Sequence, residues 1–336
     1  MSASSVRDVA QRAGVSVGTV SNVLNHPEKV SPASAERVQR AIDELGFIRN
    51  DAARQLRNGR SRTIGMVVLD VRNPFFTDLA RGAEDEASRS GLTVTLGNSD
   101  EDPTREATYL DLFEQQRVYG VVISAYADIS ERLSRLKKRG IPAVLVDRSS
   151  SDGAFSSVSI DDLAGGRLAV EHLISLGRTR LAFVGGPMGI RQVADRLEGA
   201  RAAVAAHPDV SLEVIEIDAL SVLAGRAAGA DIVGRAVRER PDAIFAANDL
   251  VSMGLLQAFA MQGADVAVPG QIALIGYDDI DFASAAVVPL SSIRQPSALI
   301  GRTAVEILLA EAEDPSAPPQ QVVFQPELVV RASTGG

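Results

Sequence analysis

Residues 6–25, VRDVAQRAGVSVGTVSNVLN, hold two short apolar-faced segments separated by a glycine. Val6, Val9, Ala10 and Ala13 recur at the spacing of one helix face, Gly14 stops that helix, and Val15 supplies an apolar plug. Ser16 suits the N-cap of a second helix carrying Val17, Val20, Val23 and Leu24, because its hydroxyl can accept one of the orphan amides of the first turn. Two short helices joined by a tight glycine-containing turn make a helix-turn-helix, whose second helix fits the major groove of DNA. A third helix is predicted from the N-cap Ser31 and Pro32 through Leu45, closed by Gly46, with Val38, Ile42 and Leu45 on its core face.

The surrounding chain sets bounds on what such a head can serve. Its 336 residues exceed what one hydrophobic core usually supports, so two or three domains are expected. The net charge of -9 argues against nucleic acid until it is placed along the chain. Residues 1–60 carry nine Lys or Arg against six acids, and the remainder carries 25 against 37, which makes a small basic head on an acidic body. Cysteine is absent and only His26, His172 and His207 are present, so no metal site, catalytic triad or cofactor is expected. The opening MSASSVRDVA holds no continuous apolar stretch of a secretory signal, and no run of 18 apolar residues could span a bilayer. The expectation is a cytoplasmic protein with no membrane partner.

Beyond the linker GRSR, continuous apolar runs alternate with amphipathic helical stretches: TIGMVVLD, LTVTLGNSD, YGVVISAY, IPAVLVDR, RLAFVGG, LEVIEID, AIFAAND and IALIGYDD. That alternation predicts parallel sheets covered by helices on both faces, with about ten strands divided between two sheets. In such folds ligands bind beyond the carboxyl ends of the strands. Asp70 and Asn73 follow the first run, Asp147 and Arg148 the fourth, Asn248 and Asp249 the run AIFAA, and Asp278 and Asp279 the run IALIGY. One aspartate after a strand is usually a cap or turn former, but four such ends in one chain point to a ligand. Carboxylates, amides and guanidinium groups bond polyols in pairs, and Phe75 and Phe76 offer flat faces for the apolar side of a sugar ring. The phosphate-loop, nucleophile-elbow and dinucleotide patterns of doubly wound enzymes are absent, and GGPMG at 185–189 reads as a cleft loop, so the chain is not expected to be an enzyme.

VRDVAQRAGVSVGTVSNVLN followed by VSPASAERVQRAIDELGFIRNDAARQL resembles the headpiece of the lac and galactose repressor (LacI/GalR) family over about fifty residues. The resemblance implies that Val17, Gly18 and Asn22 face base edges, with Ser16, Thr19 and Ser21 at phosphates. It makes NDAARQLRN, residues 50–58, a hinge helix whose Leu56 wedges into the minor groove beside Arg54 and Arg57 when paired with a second copy. NPFF (73–76), VDR (146–148), DRLEG (195–199), ANDLVSMG (247–254), GYDD (276–279) and IRQP (293–296) extend the resemblance over nearly the whole chain. It implies a periplasmic-binding-protein-like body of two doubly wound lobes joined by three crossovers. The expected division is a helix-turn-helix headpiece at 1–49, a hinge helix and linker at 50–61, and an effector-binding and dimerisation body at 62–336. Its first lobe would comprise 62–160 with 293–324, and its second 161–290 with 325–332. Asn73, Phe75, Phe76, Asp147, Arg148, Arg196, Leu220, Asn248, Asp278 and Gln295 are implied to face the effector. Leu220 stands where the family often has an aromatic, and Ile190 where purine-binding members have an arginine.

The functional expectation is a homodimeric repressor on a pseudopalindromic double-stranded DNA operator, released by a small sugar, either a monosaccharide or a phosphorylated one. The tail RASTGG after Val330 offers no heptads for a higher assembly, so a dimer is expected. The alternatives are a regulator activated by a non-sugar co-repressor and a sugar-binding transport protein. The latter would share the body but not the basic head.

Overall fold

A computed structural model of the chain describes residues 4–47, 61–150, 153–261 and 266–335. The chain divides into two compact units, 1–60 and 61–336. The hinge positions Arg54, Leu56 and Arg57 lie outside the described residues.

The head consists of α1 (Val6–Ala13), α2 (Val17–Asn25) and α3 (Pro32–Leu45). Ser5 opens α1 with a reciprocal capping box to Asp8, and Gly14 closes it at φ 61°, a left-handed conformation that glycine adopts without steric cost. Ser16 caps α2 by accepting from the Thr19 amide at 3.0 Å. Ser31 stands at the N-cap of α3, but its hydroxyl bonds the Ser34 hydroxyl at 3.0 Å instead of a backbone amide. Val9, Ala10, Ala13, Val20, Val38, Ala41 and Phe47 form the small core.

Among its described residues the body contains two six-stranded sheets. The first has the order β11-β5-β4-β3-β1-β2, from β1 (Thr63–Val68), β2 (Thr93–Asn98), β3 (Gly120–Ile123), β4 (Ala143–Val146), β5 (Ser157–Ile160) and β11 (Gln321–Phe324). The second has the order β12-β10-β9-β8-β6-β7, from β6 (Arg180–Gly185), β7 (Ser211–Glu216), β8 (Ala243–Ala246), β9 (Ala273–Asp278), β10 (Ser291–Arg294) and β12 (Glu327–Val329). Among the described residues every pairing is parallel except β10 with β12. Parallel neighbours need helical crossovers, supplied by α4 (Pro74–Arg89), α5 (Pro103–Gln115), α6 (Ser130–Lys138), α7 (Asp162–Ser175), α8 (Arg191–Ala205), α9 (Val222–Gly234), α10 (Asp249–Met261), α11 (Asp281–Ala285) and α12 (Ser297–Glu313). Helices α4 and α12 approach to backbone contact: a Cβ at Gly82 would lie 2.0 Å from the Ala298 carbonyl oxygen, and one at Gly301 1.9 Å from that of Leu79.

The chain passes from the first sheet to the second after β5, back after β10, and forward again after β11. The return differs from the expected boundary, because β10 pairs with β9 through Arg294 opposite Asp278, so 293–294 belong to the second lobe. An apolar-run reading does not see this strand: it opens on Ser291 and Ser292, both fully buried. Their hydroxyls are satisfied internally, Ser291 on the Arg331 carbonyl and Ser292 on Asp249. Among the described residues, no helix is long and apolar enough to cross a membrane.

Candidate functional site

On α2 the buried side chain is Val20, which leaves Ser16, Val17, Gly18 and Asn22 exposed on the outer face. Val17 is 47% exposed, which leaves its methyl groups available for apolar contact outside the chain. Thr19 and Ser21 are half-buried. The Thr19 hydroxyl bonds Ser16 Oγ at 2.9 Å, and Asn25 Nδ2 donates to the Ser21 carbonyl at 2.7 Å.

In the body, the carboxyl ends of β1, β4, β8 and β9 converge on a cleft of about 460 Å³, counting the space open at its mouth. Asn73, Phe75, Phe76, Asp147, Arg196, Leu220, Asn248 and Asp278 line it. So do Asp70 and Ile190, both singled out in the sequence, and Leu69, Glu101, Gln192 and Val193, which were not among the expected contacts. Gln295 lies one step back, donating from Nε2 to Asp278 Oδ1 at 2.7 Å. Arg148 is not a lining residue: its Nη1 donates to the carbonyls of Ala125 and Ala127 at 3.1 and 2.8 Å, which fixes the loop after β3.

Amide–carboxylate pairs cross the cleft. Asn73 caps α4 by accepting from the Phe75 amide, and its Nδ2 donates to Asp278 Oδ2 at 3.0 Å. Gln192, in the first turn of α8, donates from Nε2 to the Asp147 carbonyl and to Asp147 Oδ2, both at 2.7 Å. Phe75 and Phe76 meet edge to face at 5.0 Å and form the apolar wall. Asp147 and Asp278 stand at φ 61° and 99°, a left-handed conformation that is uncommon outside glycine and recurs at ligand sites.

Arg196 is the charge at the centre. It is 4% exposed, donates from Nε to Asp162 Oδ1 and from Nη1 to the Ala247 carbonyl, both at 2.8 Å, and lies 3.7 Å over the Tyr277 ring. Burial opposes its charge, but Asp162, Tyr277, Asp278 and Asp147 outweigh that and keep it protonated. Burial and the neighbouring Asp162 push the Asp147 carboxyl up to about 8, with Arg196 pulling the other way.

Residues 5–50 match the family of bacterial regulatory proteins of the lacI type, and residues 170–334 match a periplasmic binding protein-like domain. The chain is 33% identical over 333 residues to the ribose operon repressor of Escherichia coli (strain K12), covering 98% of this chain and 99% of the relative. It is 32% identical over 333 residues to the HTH-type transcriptional repressor PurR of Photobacterium profundum, covering 98% of each. The chain belongs to the LacI family. Among solved LacI-family structures, the lac repressor dimer bound to operator and the anti-inducer ONPF superposes with a TM-score of 0.82 at 27% identity, covering 99% of both chains. A LacI family regulator from Enterococcus faecium with bound ribose superposes at 0.73 and 30% identity, covering 81% of this chain and 98% of that one. As a LacI-family member the chain is a DNA-binding transcriptional repressor with a periplasmic-binding-protein-like body, and not an enzyme.

The Asp147 carboxyl is expected to make the stability of this LacI-family body depend on pH. Folded, it keeps its proton up to about pH 8; unfolded, it releases it near its ordinary value of 3.8, so folding takes up a proton between these limits. The group's contribution to stability therefore falls as pH rises through that window. Asp147→Asn cannot ionise, and its urea midpoint is expected to fall less between pH 5 and pH 8 than that of wild type. Burial also raises Asp162 and Asp278, so some slope remains. Parallel slopes for variant and wild type would show that Asp147 titrates normally.

Proposed function

We propose that this protein is a cytoplasmic, homodimeric repressor that binds a pseudopalindromic operator through paired headpieces and leaves it when an uncharged monosaccharide occupies the body's cleft. The observation that carries the effector reading is the charge of the lining. Glu101 and Asp278 face one lining guanidinium, Arg196, which is already engaged by Asp162 and the Ala247 carbonyl, while Asp70 is paired with Arg72 and Asp147 holds its proton at neutral pH. A sugar phosphate would add charge of the wrong sign to a poorly solvated site, whereas neutral hydroxyls can donate to carboxylates and accept from amides. The buried Asp147 Oδ1 and Gln295 Oε1 have no hydrogen-bond partner among the described residues, which leaves acceptors at or beside the cleft. A purine co-repressor is the second reading, suggested by the likeness to PurR. The apolar, buried Ile190 in the lining speaks against it.

Thermal-shift measurement on the full-length protein with D-ribose, other neutral aldoses, ribose 5-phosphate and hypoxanthine tests the reading. A bound effector at a hundred times its Kd stabilises the folded state by about 2.7 kcal/mol. Stabilisation by a neutral monosaccharide is expected. Stabilisation by the phosphate ester or the purine alone would overturn it.

The operator half of the reading rests on the exposed face of α2 and on residues 50–58. Leu56→Ala is expected to weaken operator binding by roughly tenfold or more, the scale of losing one wedge in a kinked step, while binding to random DNA changes little. Mobility-shift titrations on both DNAs check it, and equal losses on the two would make this segment a linker only.

A further inference from the structure

Asp249 lies beneath the cleft and does not line it. It is the first residue of α10, fully buried, and it follows the lining residue Asn248. Its carboxylate reaches the end of β9: Oδ2 accepts from the Ile280 amide at 2.9 Å, and Oδ1 accepts from the Ser292 hydroxyl at 2.8 Å. Ser292 Oγ in turn accepts from the Asp279 amide at 3.0 Å. One carboxylate thus secures two consecutive amides, one directly and one through a hydroxyl.

The turn it secures is unusual. Asp278 and Asp279 are both left-handed, at φ 99° and 55°. Such conformations persist only where neighbouring contacts over-determine them. The Asp279 carboxylate is separately held by Arg294 Nε at 2.8 Å and Arg331 Nη1 at 2.6 Å. With both sides of the turn fixed, the Asp278 carboxylate sits where Asn73 Nδ2 and Gln295 Nε2 reach it and where Arg196 Nη1 is 3.9 Å away. Space for the support comes from Gly276, where a Cβ would lie 2.1 Å from Asp249 Oδ1.

We propose that Asp249 is a positioning residue of the effector site: with Ser292 it clamps the left-handed turn that aims Asp278 into the cleft. The proposal rests on the effector reading above for its ligand but not for its geometry. Asparagine at 249 keeps an oxygen for the Ile280 amide and can donate its NH2 to Ser292 Oγ, so it preserves the clamp, whereas alanine removes both anchors.

The test is calorimetric titration of the full-length protein with D-ribose as the probe, for wild type, Asp249→Ala, Asp249→Asn, Asp278→Ala and the Asp249→Ala/Asp278→Ala double variant. Asp249→Ala is expected to weaken D-ribose about tenfold, and Asp249→Asn to restore it to within about threefold. In the double variant the loss should match that of Asp278→Ala alone, because a residue acting through Asp278 has nothing left to position. Fully additive losses would overturn the proposal, since a general structural defect would act with or without Asp278. If D-ribose does not bind wild type, the ribose form of the effector reading fails, and a crystal structure of Asp249→Ala decides the positioning claim. Asp278 displaced from Asn73 and Gln295 upholds it; Asp278 unmoved at positive φ overturns it.

Discussion

Replacing Arg196 with alanine is expected to destabilise the body by about 3–5 kcal/mol, the scale on which removing one partner strands a buried charge. Asp162 is 7% exposed and has the Arg196 guanidinium against it at 2.8 Å. The same cation pulls the Asp278 and Asp147 carboxyls down against the effect of burial. The substitution removes the guanidinium that lines the cleft, the donor to the Ala247 carbonyl and the plane stacked on Tyr277. Urea unfolding of the body transition measures the loss. The deficit should be smaller at pH 5 than at pH 7.5: without Arg196 the stranded Asp162 carboxyl binds its proton more tightly, and lower pH supplies it. A loss below about 1 kcal/mol, or one independent of pH, would show that Asp162 is compensated by groups other than Arg196. The same argument makes Arg196→Ala a poor probe of effector affinity by itself, because lost contacts and a loosened body would both weaken binding.

The head was legible almost residue by residue because its signals are local. Gly14 and Gly46 end their helices in left-handed caps, and Ser16 bonds the third amide of α2, all within one turn of the sequence that announces them. The central strands were legible for a different reason: parallel strands buried on both faces read as continuous apolar runs. The strands that escaped, β5, β10, β11 and β12, carry serines, glutamine or glutamate. SVSI at 157–160 is fully buried even so, with the Ser157 hydroxyl bonded to Gln321 of β11. Hydroxyl groups buried with partners do not register in an apolar pattern.

The cleft was legible where a residue terminates a strand and obscure where it arrives from elsewhere. Asp147 and Asp278 stand at the ends of apolar runs, which is why their chemistry stood out. Gln192 occupies the first turn of a helix, where a polar side chain is normally a solvated one. Only the juxtaposition of the two sheets brings it to Asp147, 45 residues earlier in the chain. Glu101 hides in the polar turn NSDEDP and reaches the lining through a left-handed backbone at φ 58°. Arg148 stands apart from these, since its place beside Asp147 in the sequence suggests a ligand contact while its Nη1 donates to two loop carbonyls.

Asp278→Ala is the cleaner probe of the switch, and the expected loss is large. The carboxylate is 6% exposed and accepts from Asn73 of the first lobe and Gln295 at the return crossover, so it stands where both lobes and the effector compete for one acceptor. Charge-assisted bonds of this kind contribute about 2–4 kcal/mol to a buried polar ligand, which is roughly thirtyfold to nearly a thousandfold in affinity. Burial works against the charged form of Asp278, so its removal relieves that cost as well as deleting contacts, and the body should lose less stability than with Arg196→Ala, which strands Asp162. An effector can shift a repressor only by the difference between its affinities for the two lobe arrangements. A variant that no longer holds the sugar therefore keeps its operator at concentrations that release wild type. Fluorescence anisotropy of labelled operator, titrated with the neutral sugar found by thermal shift, reads this directly. The expected curve for Asp278→Ala moves to higher sugar concentration by the factor given above, with its unfolding midpoint staying nearer wild type than that of Arg196→Ala. Release at the wild-type sugar concentration would remove Asp278 from the effector site, whatever its place in the cleft.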